Sequence, residues 1–436
     1  MNNQIVIDSK GNFYNEKDLL NIATNFILKS KSNKLTICAK QPRIQTVSII
    51  RHLSELGTNI LFTQYTQDHP YVLSASDFLK HNLNICESNS QLIFLTSGST
   101  GLPKLVVHKY ENLVKAGNKI LSRYPNILNS RFHHLFPANY MAGVLNCTIV
   151  PFLSKGTILL DDEFNFSSTF TTLNTAEKYK SEIAWLSPSM LKALSISAKK
   201  KKTNFSAWKM VLTATGPITT SIRDEAAYRL GCEVKNTYGT TEALFITGEI
   251  KMNAEVTCGS TFSKVELRTG NKSAKYPIGH GEIFCSTDTY ASHIFQATKK
   301  DNVIKFKEIS HSEQSFIPTG DYGYLQDNNL IVNGRVDDMV VLGGLNISLS
   351  GVENCARDYP GVLEVCAIAP YGGNISDLVV MYEDNENLVD ENKLKLYIVQ
   401  TLTEELSSIK VRRAKLPRTA SGKLDRELIR SEYLDS

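Results

Sequence analysis

Leu92-Ile-Phe-Leu-Thr-Ser-Gly-Ser-Thr-Gly-Leu-Pro-Lys104 opens on a short apolar run and passes straight into a turn of glycines and hydroxyls that ends on a lysine. An apolar run of this length bounded by a turn reads as a buried strand. After Lys109, Leu113, Ala116, Ile120 and Leu121 fall on one helical face, so the spacing predicts a strand, a glycine-rich turn and a helix in succession. Small residues let backbone N–H groups close on a phosphate, hydroxyls add donors, and Lys104 adds positive charge. The turn lacks the glycine–lysine spacing of a Walker loop, and a Ser/Gly cluster alone is more often a plain surface turn.

Outward from this stretch the same rhythm holds. Short apolar runs, LTICA from Leu35 and NILFTQY from Asn59, alternate with helical patterns such as IQTVSIIRHLSEL from Ile44. That is an α/β chain. Near residue 335 the texture changes: Ser350-Gly-Val-Glu353 reads as a capping box, the strands VLEVCAIAP and LVVMY follow closely, and Leu394, Ile398, Leu402 and Leu406 mark one face of a further helix. A large domain over residues 1–336 and a small α+β domain over 337–436 are expected, and 436 residues suffice for two cores.

Composition narrows the function. The net charge of +4 is too small to argue for nucleic acid, and no basic run is interleaved with aromatics. The start lacks a signal peptide's basic cluster and apolar run, and nothing approaches the roughly 18 consecutive apolar residues of a membrane span. A soluble, cytoplasmic protein is expected. The 8 Cys are scattered singly with no zinc-type spacing and read as small buried side chains. The run Lys199 to Lys202 reads as a solvated loop, with a docking patch for an acidic partner as the minority reading.

Three further motifs carry chemistry. Asn236-Thr-Tyr-Gly-Thr-Thr-Glu242, preceded by Ala214-Thr-Gly-Pro-Ile218, could stack a purine on Tyr238, bond a phosphate and hold Mg²⁺ through Glu242. Thr319-Gly-Asp321, followed by Gly334-Arg-Val-Asp-Asp338 and Gly343-Gly344, offers a carboxylate suited to a ribose diol and a guanidinium beside it. Leu416-Pro-Arg-Thr-Ala-Ser-Gly-Lys423 puts a lysine on a basic C-terminal loop. Each alone has a bland reading: a core aromatic, a common Gly-Asp turn, a solvated charge.

Their order and identity change the weighing. Together with GEIF from Gly281, the four stretches resemble the adenylate-forming family of acyl-CoA synthetases, aryl-CoA ligases, peptide-synthetase adenylation domains and luciferases, and the GRVDDMVVLGGLNI wording is most similar to aryl- and succinylbenzoate-type CoA ligases. The resemblance runs from Leu92 to Arg426. It implies mixed sheets flanked by helices in the large domain and a mobile small domain. It also implies ATP, Mg²⁺ and coenzyme A, or the phosphopantetheine of a carrier protein, as the reactants and cofactors of an acid–thiol ligase.

By that resemblance Thr96, Ser97, Gly98, Ser99, Thr100, Gly101 and Lys104 hold the β- and γ-phosphates. Gly216, Pro217, Asn236, Thr237, Tyr238 and Gly239 complete the nucleotide surface, with Tyr238 on the adenine face and Asp321 and Arg335 on the ribose. Thr241 contacts the α-phosphate, Glu242 the Mg²⁺, and Lys423 bridges carboxylate and α-phosphate as the foremost catalytic residue. Asp337 matches the hinge, and Gly343 and Gly344 border the thiol tunnel. Tyr140, Met141, Gly216, Thr237 and Leu244 wall the acyl pocket, and their apolar character points to an aromatic or medium-chain acid.

The chain departs from the family's pattern at Tyr140, where many members carry His, at Leu345, where an acidic residue is common, and in a shortened N-terminal region. No Asp near Tyr140 suits an amino acid's ammonium group. Two alternatives stand beside CoA ligation: loading a separate acyl carrier protein in polyketide or other secondary metabolism, and a catalytically silent homologue that serves as a complex partner.

Overall fold

The computed structural model describes residues 5–29, 35–82, 90–96, 102–200, 205–270, 281–300, 303–309, 316–370, 372–384, 388–418 and 424–433. The apolar runs become strands, as their β-branched and aromatic content favours. Leu35–Cys38, Asn59–Phe62 and Gln91–Thr96 lie side by side and parallel, and the sheet continues through Lys104–Lys109 and His293–Lys300 to Val303–Glu308. A second, nine-stranded sheet runs from Ser260–Thr261 through Leu244–Gly248, Glu233–Thr240, Met210–Thr213, Ile183–Leu186, Arg131–His134, Thr157–Leu160 and Val6–Asp8 to Phe13–Tyr14. Helices cover these sheets, and one large hydrophobic cluster reaching from Ala23 to Cys285 fills the layers between them. A four-stranded antiparallel sheet, Val265–Gly270, Gly281–Thr287, Ile317–Gln326 and Asn329–Arg335, completes the N-terminal part. Mixed α/β architecture is what the rhythm of the chain led us to expect.

The glycine-rich turn corrects one expectation. Thr96 pairs with Lys104 and Gln91 with Lys109, so the turn joins two antiparallel strands, and the helix Tyr110–Arg123 begins only afterwards. Leu105, Val106 and Val107 are fully buried, which the local pattern could not distinguish from the start of a helix.

The C-terminal part has a hydrophobic cluster of its own, drawn from Val340 to Val411. It contains the hairpin Met339–Leu342 and Leu345–Ser348 and the sheet Val362–Ile368, Val379–Asp384 and Lys410–Arg413. Gly343 (φ +57) and Gly344 (φ +85) make the two-residue hairpin turn, a conformation that asks for positive φ at both positions. Two helix boundaries differ from the sequence reading. The helix Leu349–Asp358 is capped by Ser348, whose oxygen accepts from Gly351 N–H at 2.9 Å, while Glu353 is buried and accepts from Ala367 N–H at 2.8 Å instead of closing a capping box. The helix carrying Leu394 and Ile398 ends at Thr401; Leu402 is 43% exposed, and Leu406 is buried from a separate 3₁₀ turn.

The described cysteines are all free, and burial pushes their thiols up, to about 12 at Cys38, Cys147, Cys232, Cys258, Cys285 and Cys366 and about 11 at Cys355. Among the described residues no helix is long and apolar enough to cross a membrane. Lys199 and Lys200 are exposed at the end of the helix Pro188–Lys200; Lys201 and Lys202 lie outside the described residues.

Candidate active site

Arg131–His134, Ile183–Leu186, Met210–Thr213 and the first half of Glu233–Thr240 are parallel neighbours. Their carboxyl ends therefore release four segments along one edge of the sheet: 135–140, 187–192, 214–217 and 236–239. Such an edge is where open α/β sheets hold ligands. Tyr140 leaves the first segment, which is strapped down by Arg43, whose Nη2 donates to the carbonyls of His134 (3.0 Å) and Phe136 (2.7 Å), and by Asn139, whose Nδ2 donates to those of Ala39 (2.6 Å) and Thr63 (2.5 Å). Gly216 and Pro217 follow Thr215, which takes φ +74. Thr237 Oγ1 donates to Thr213 O at 3.0 Å and ties two of the segments together.

The strands Glu233–Thr240 and Leu244–Gly248 form a hairpin whose turn carries Thr241 and Glu242. Thr240 Oγ1 accepts from Ala243 N–H at 3.0 Å, and Leu244 closes the turn at φ +63, a left-handed position that three-residue hairpins require. A Cβ on Gly239 would meet Leu244 O at 2.1 Å, so only glycine permits the bulge between Tyr238 and Gly239. Below the turn, burial depresses His108 to about 4, so the ring is neutral and its Nε2–H donates to Thr241 O at 2.7 Å. Lys104 Nζ lies 3.8 Å from Glu242 Oε1.

Asp321 and Arg335 face each other across the ladder of Ile317–Gln326 and Asn329–Arg335. Tyr238 O–H donates to Asp321 Oδ2 at 2.5 Å, Arg335 Nη1 donates to Oδ1 at 3.2 Å, and Thr319 Oγ1 accepts from Asp321 N–H at 3.2 Å. Burial raises the Asp321 carboxyl; Arg335 and Tyr238 pull it back, and the negative charge of Glu242 adds to the rise. Glu242 is thus within electrostatic reach of this cluster. Asn236 N–H donates to the buried Glu249 carboxylate at 2.8 Å, which anchors the strand from behind.

A cavity of about 520 Å³ opens at the ends of the segments 135–140, 187–192 and 214–217, with Tyr140, Gly216 and Pro217 in its wall; Tyr238, Glu242, Asp321 and Arg335 do not line it. Phe164, Phe166 and Pro188 add apolar surface, and Lys192, Arg357 and Glu364 add charge. Arg418 and Leu424 also border it. They flank 419–423, so Lys423 itself lies outside the described residues, as do Ser97, Gly98, Ser99, Thr100 and Gly101. Met141 and Leu244 are buried in the large cluster, and neither they nor Thr237 line this cavity. Asp337 sits in a short turn directly after Arg335, its carboxylate 3.7 Å from Arg335 Nη2. Gly343 and Gly344 are exposed and do not line the cavity. Sequence reasoning missed Lys192, Arg357 and Phe166, which belong to no motif.

A family model described as "AMP-binding enzyme" matches residues 23–294. A putative long chain fatty acid–CoA ligase of Staphylococcus haemolyticus is 24% identical over 350 residues, covering 79% of this chain and 70% of that protein. A 2-succinylbenzoate–CoA ligase of Staphylococcus epidermidis is 24% identical over 373 residues, covering 83% and 74%. The ATP-bound crystal structure of MatB from Rhodopseudomonas palustris superposes with a TM-score of 0.76 at 16% identity, over 100% of this chain and 96% of that one.

Proposed function

The chain belongs to the AMP-binding enzyme family, and from that premise we propose that it is an ATP-dependent acid–thiol ligase that forms an acyl-adenylate and passes the acyl group to coenzyme A. One observation carries the reading. Tyr238, Asp321 and Arg335 meet in a single cluster that feels the charge of Glu242, Glu242 lies 3.8 Å from Lys104, and the residues flanking 419–423 border the same cavity as Tyr140 and Gly216. The CoA-ligase relatives support the acceptor.

A carboxylate oxygen attacks the α-phosphorus of ATP and pyrophosphate leaves; the thiol sulfur then attacks the acyl carbon and AMP leaves. In the first step Asp321 and Arg335 hold the ribose, with the Asp321 carboxylate exchanging part of its contact with Tyr238 for the diol. Tyr238, Gly216, Pro217, Asn236, Thr237 and Gly239 frame the base. Lys104, Thr96 and residues 97–101 hold the β- and γ-phosphates, Thr241 contacts the α-phosphate, and Lys423 neutralises charge developing between carboxylate and phosphorus. Glu242 could hold magnesium: it is a partly exposed carboxylate on the hairpin turn beside Lys104, and Mg²⁺ usually takes one or two carboxylates together with phosphates and water. Bound there, the ion would neutralise phosphate charge.

The acid lies in the cavity, against Tyr140, Phe164 and Phe166, and this aromatic side of its wall suits an aromatic or medium-chain acid. Residues 1–336 and 337–436 act as two domains, with Asp337 as the hinge about which the smaller turns between the half-reactions, bringing Gly343 and Gly344 to the thiol's path. Acid-dependent exchange of labelled pyrophosphate into ATP, run over a panel of aryl and fatty acids, tests the first step; silence across the panel sinks the ligase in favour of a non-catalytic partner. Coenzyme A against a holo-carrier protein then decides the acceptor.

A further inference from the structure

Lys192 stands on the helix Pro188–Lys200, between Leu191 and Leu194, which are both fully buried. Its Nζ leaves the N-terminal part and donates to two main-chain oxygens of the C-terminal part, those of Arg357 (3.3 Å) and Val362. Arg357 lies in the last turn of Leu349–Asp358, where carbonyls lack intrahelical partners and the helix dipole favours a cation. The ammonium is therefore a C-terminal cap for one part of the chain supplied by the other. A second cation crosses the same seam in the opposite direction: the Arg418 guanidinium lies 5.0 Å from the centroid of the Phe166 ring. Arg357, whose main chain Lys192 caps, donates from Nη2 to Glu364 at 3.1 Å, and Glu364 also accepts from Arg418 Nη1 at 3.5 Å. All of these side chains border the cavity.

We propose that Lys192 is a positioning residue of the adenylation half-reaction: by capping Leu349–Asp358 it fixes the orientation of the C-terminal part in which Arg418 and Leu424 border the acid cavity. Its release accompanies the turn to thiol transfer. That functional consequence rests on the ligase reading; the clasp itself does not.

Hydrogen–deuterium exchange on the full chain without ligands reads the clasp. Lys192→Met keeps the length of the stem and removes the donors. Exchange should quicken roughly tenfold in 188–200, 349–368 and 424–433, with Met210–Thr213 unchanged, and Lys192→Arg should restore part of the protection. Equal quickening everywhere, or none, overturns the proposal; if Lys192→Met does not fold, Lys192→Gln is read over the same segments. In turnover, Lys192→Met should lower pyrophosphate exchange about tenfold at unchanged KM for ATP, while thiol transfer from a preformed adenylate keeps its rate. Equal loss in both half-reactions overturns the positioning role. An unmodified chain that exchanges no pyrophosphate with any acid removes the ligase reading, and the deuterium result still decides the clasp.

Discussion

At the proposed nucleotide end of the site the side chains hold one another within one strand ladder, whereas at the proposed acid end they reach across from one part of the chain to the other around an open cavity. Asp321 is bonded on both carboxylate oxygens, by Tyr238 and Arg335, and rests on its own strand pairing. The proposed acid end is a cavity of about 520 Å³ whose walls come from both parts of the chain and are bridged by long, adaptable cations. A site that meets the same nucleotide in every turnover gains from rigid preorganisation. One proposed to admit an acid and then let a lobe turn needs contacts that can break.

Replacing Lys423 with Ala tests the contrast most severely, because its segment is flanked at the acid end while its charge is proposed to serve the nucleotide. Adenylation should fall roughly 10²–10³-fold, with thiol transfer from a preformed adenylate nearly intact; single-turnover assays of the two steps separate them. Asp321→Asn should raise KM for ATP by about 10–100-fold and leave the preference among acids unchanged. A shift in acid preference would mean the two ends are not separate. Tyr140→His should do the converse, changing relative kcat/KM among aryl and fatty acids about tenfold at constant KM for ATP.

The smallest effect is one of pH. Burial first, then Arg357, pulls the Lys192 ammonium down to about 8, against the pull of Glu364 and Asp358. When the two parts separate, the group returns to the ordinary lysine range, so the separated form binds more protons between those values. The neutral amine keeps N–H donors for the Arg357 and Val362 oxygens while shedding the cost of a buried charge, so the docked orientation should gain as pH rises from 8 towards 10 and change little below 8. Limited proteolysis across that range would register the gain as slower cleavage near Asp337, and Lys192→Met should flatten the trend.

What the sequence made legible follows the same division. Tyr238, Asp321, Arg335 and Glu242 could be picked out because each sits in a compact motif whose spacing is local. The strands at Leu35, Asn59 and Leu92 could be read because burial leaves a continuous apolar run. Lys192 could not: its acceptors lie 165 and 170 residues away, and on its own helix it is one more lysine. The misplaced cap at Ser350 has a similar cause. Ser348 and Ser350 are both plausible caps, and the choice fell to the strand that ends at Ser348 and to Glu353, which is drawn inward by Ala367 and by Arg426, whose Nη2 donates to it at 2.6 Å.

The burial of the described thiols has a chemical consequence. A mixed anhydride with AMP acylates any thiolate it meets. With every described cysteine pushed to about 11 or 12, fewer than about one such thiol in a thousand is ionised at neutral pH. Among the described residues no cysteine lines the cavity, and the described thiols elsewhere are too little ionised for self-acylation to compete with an incoming acceptor at the acyl group proposed to wait there.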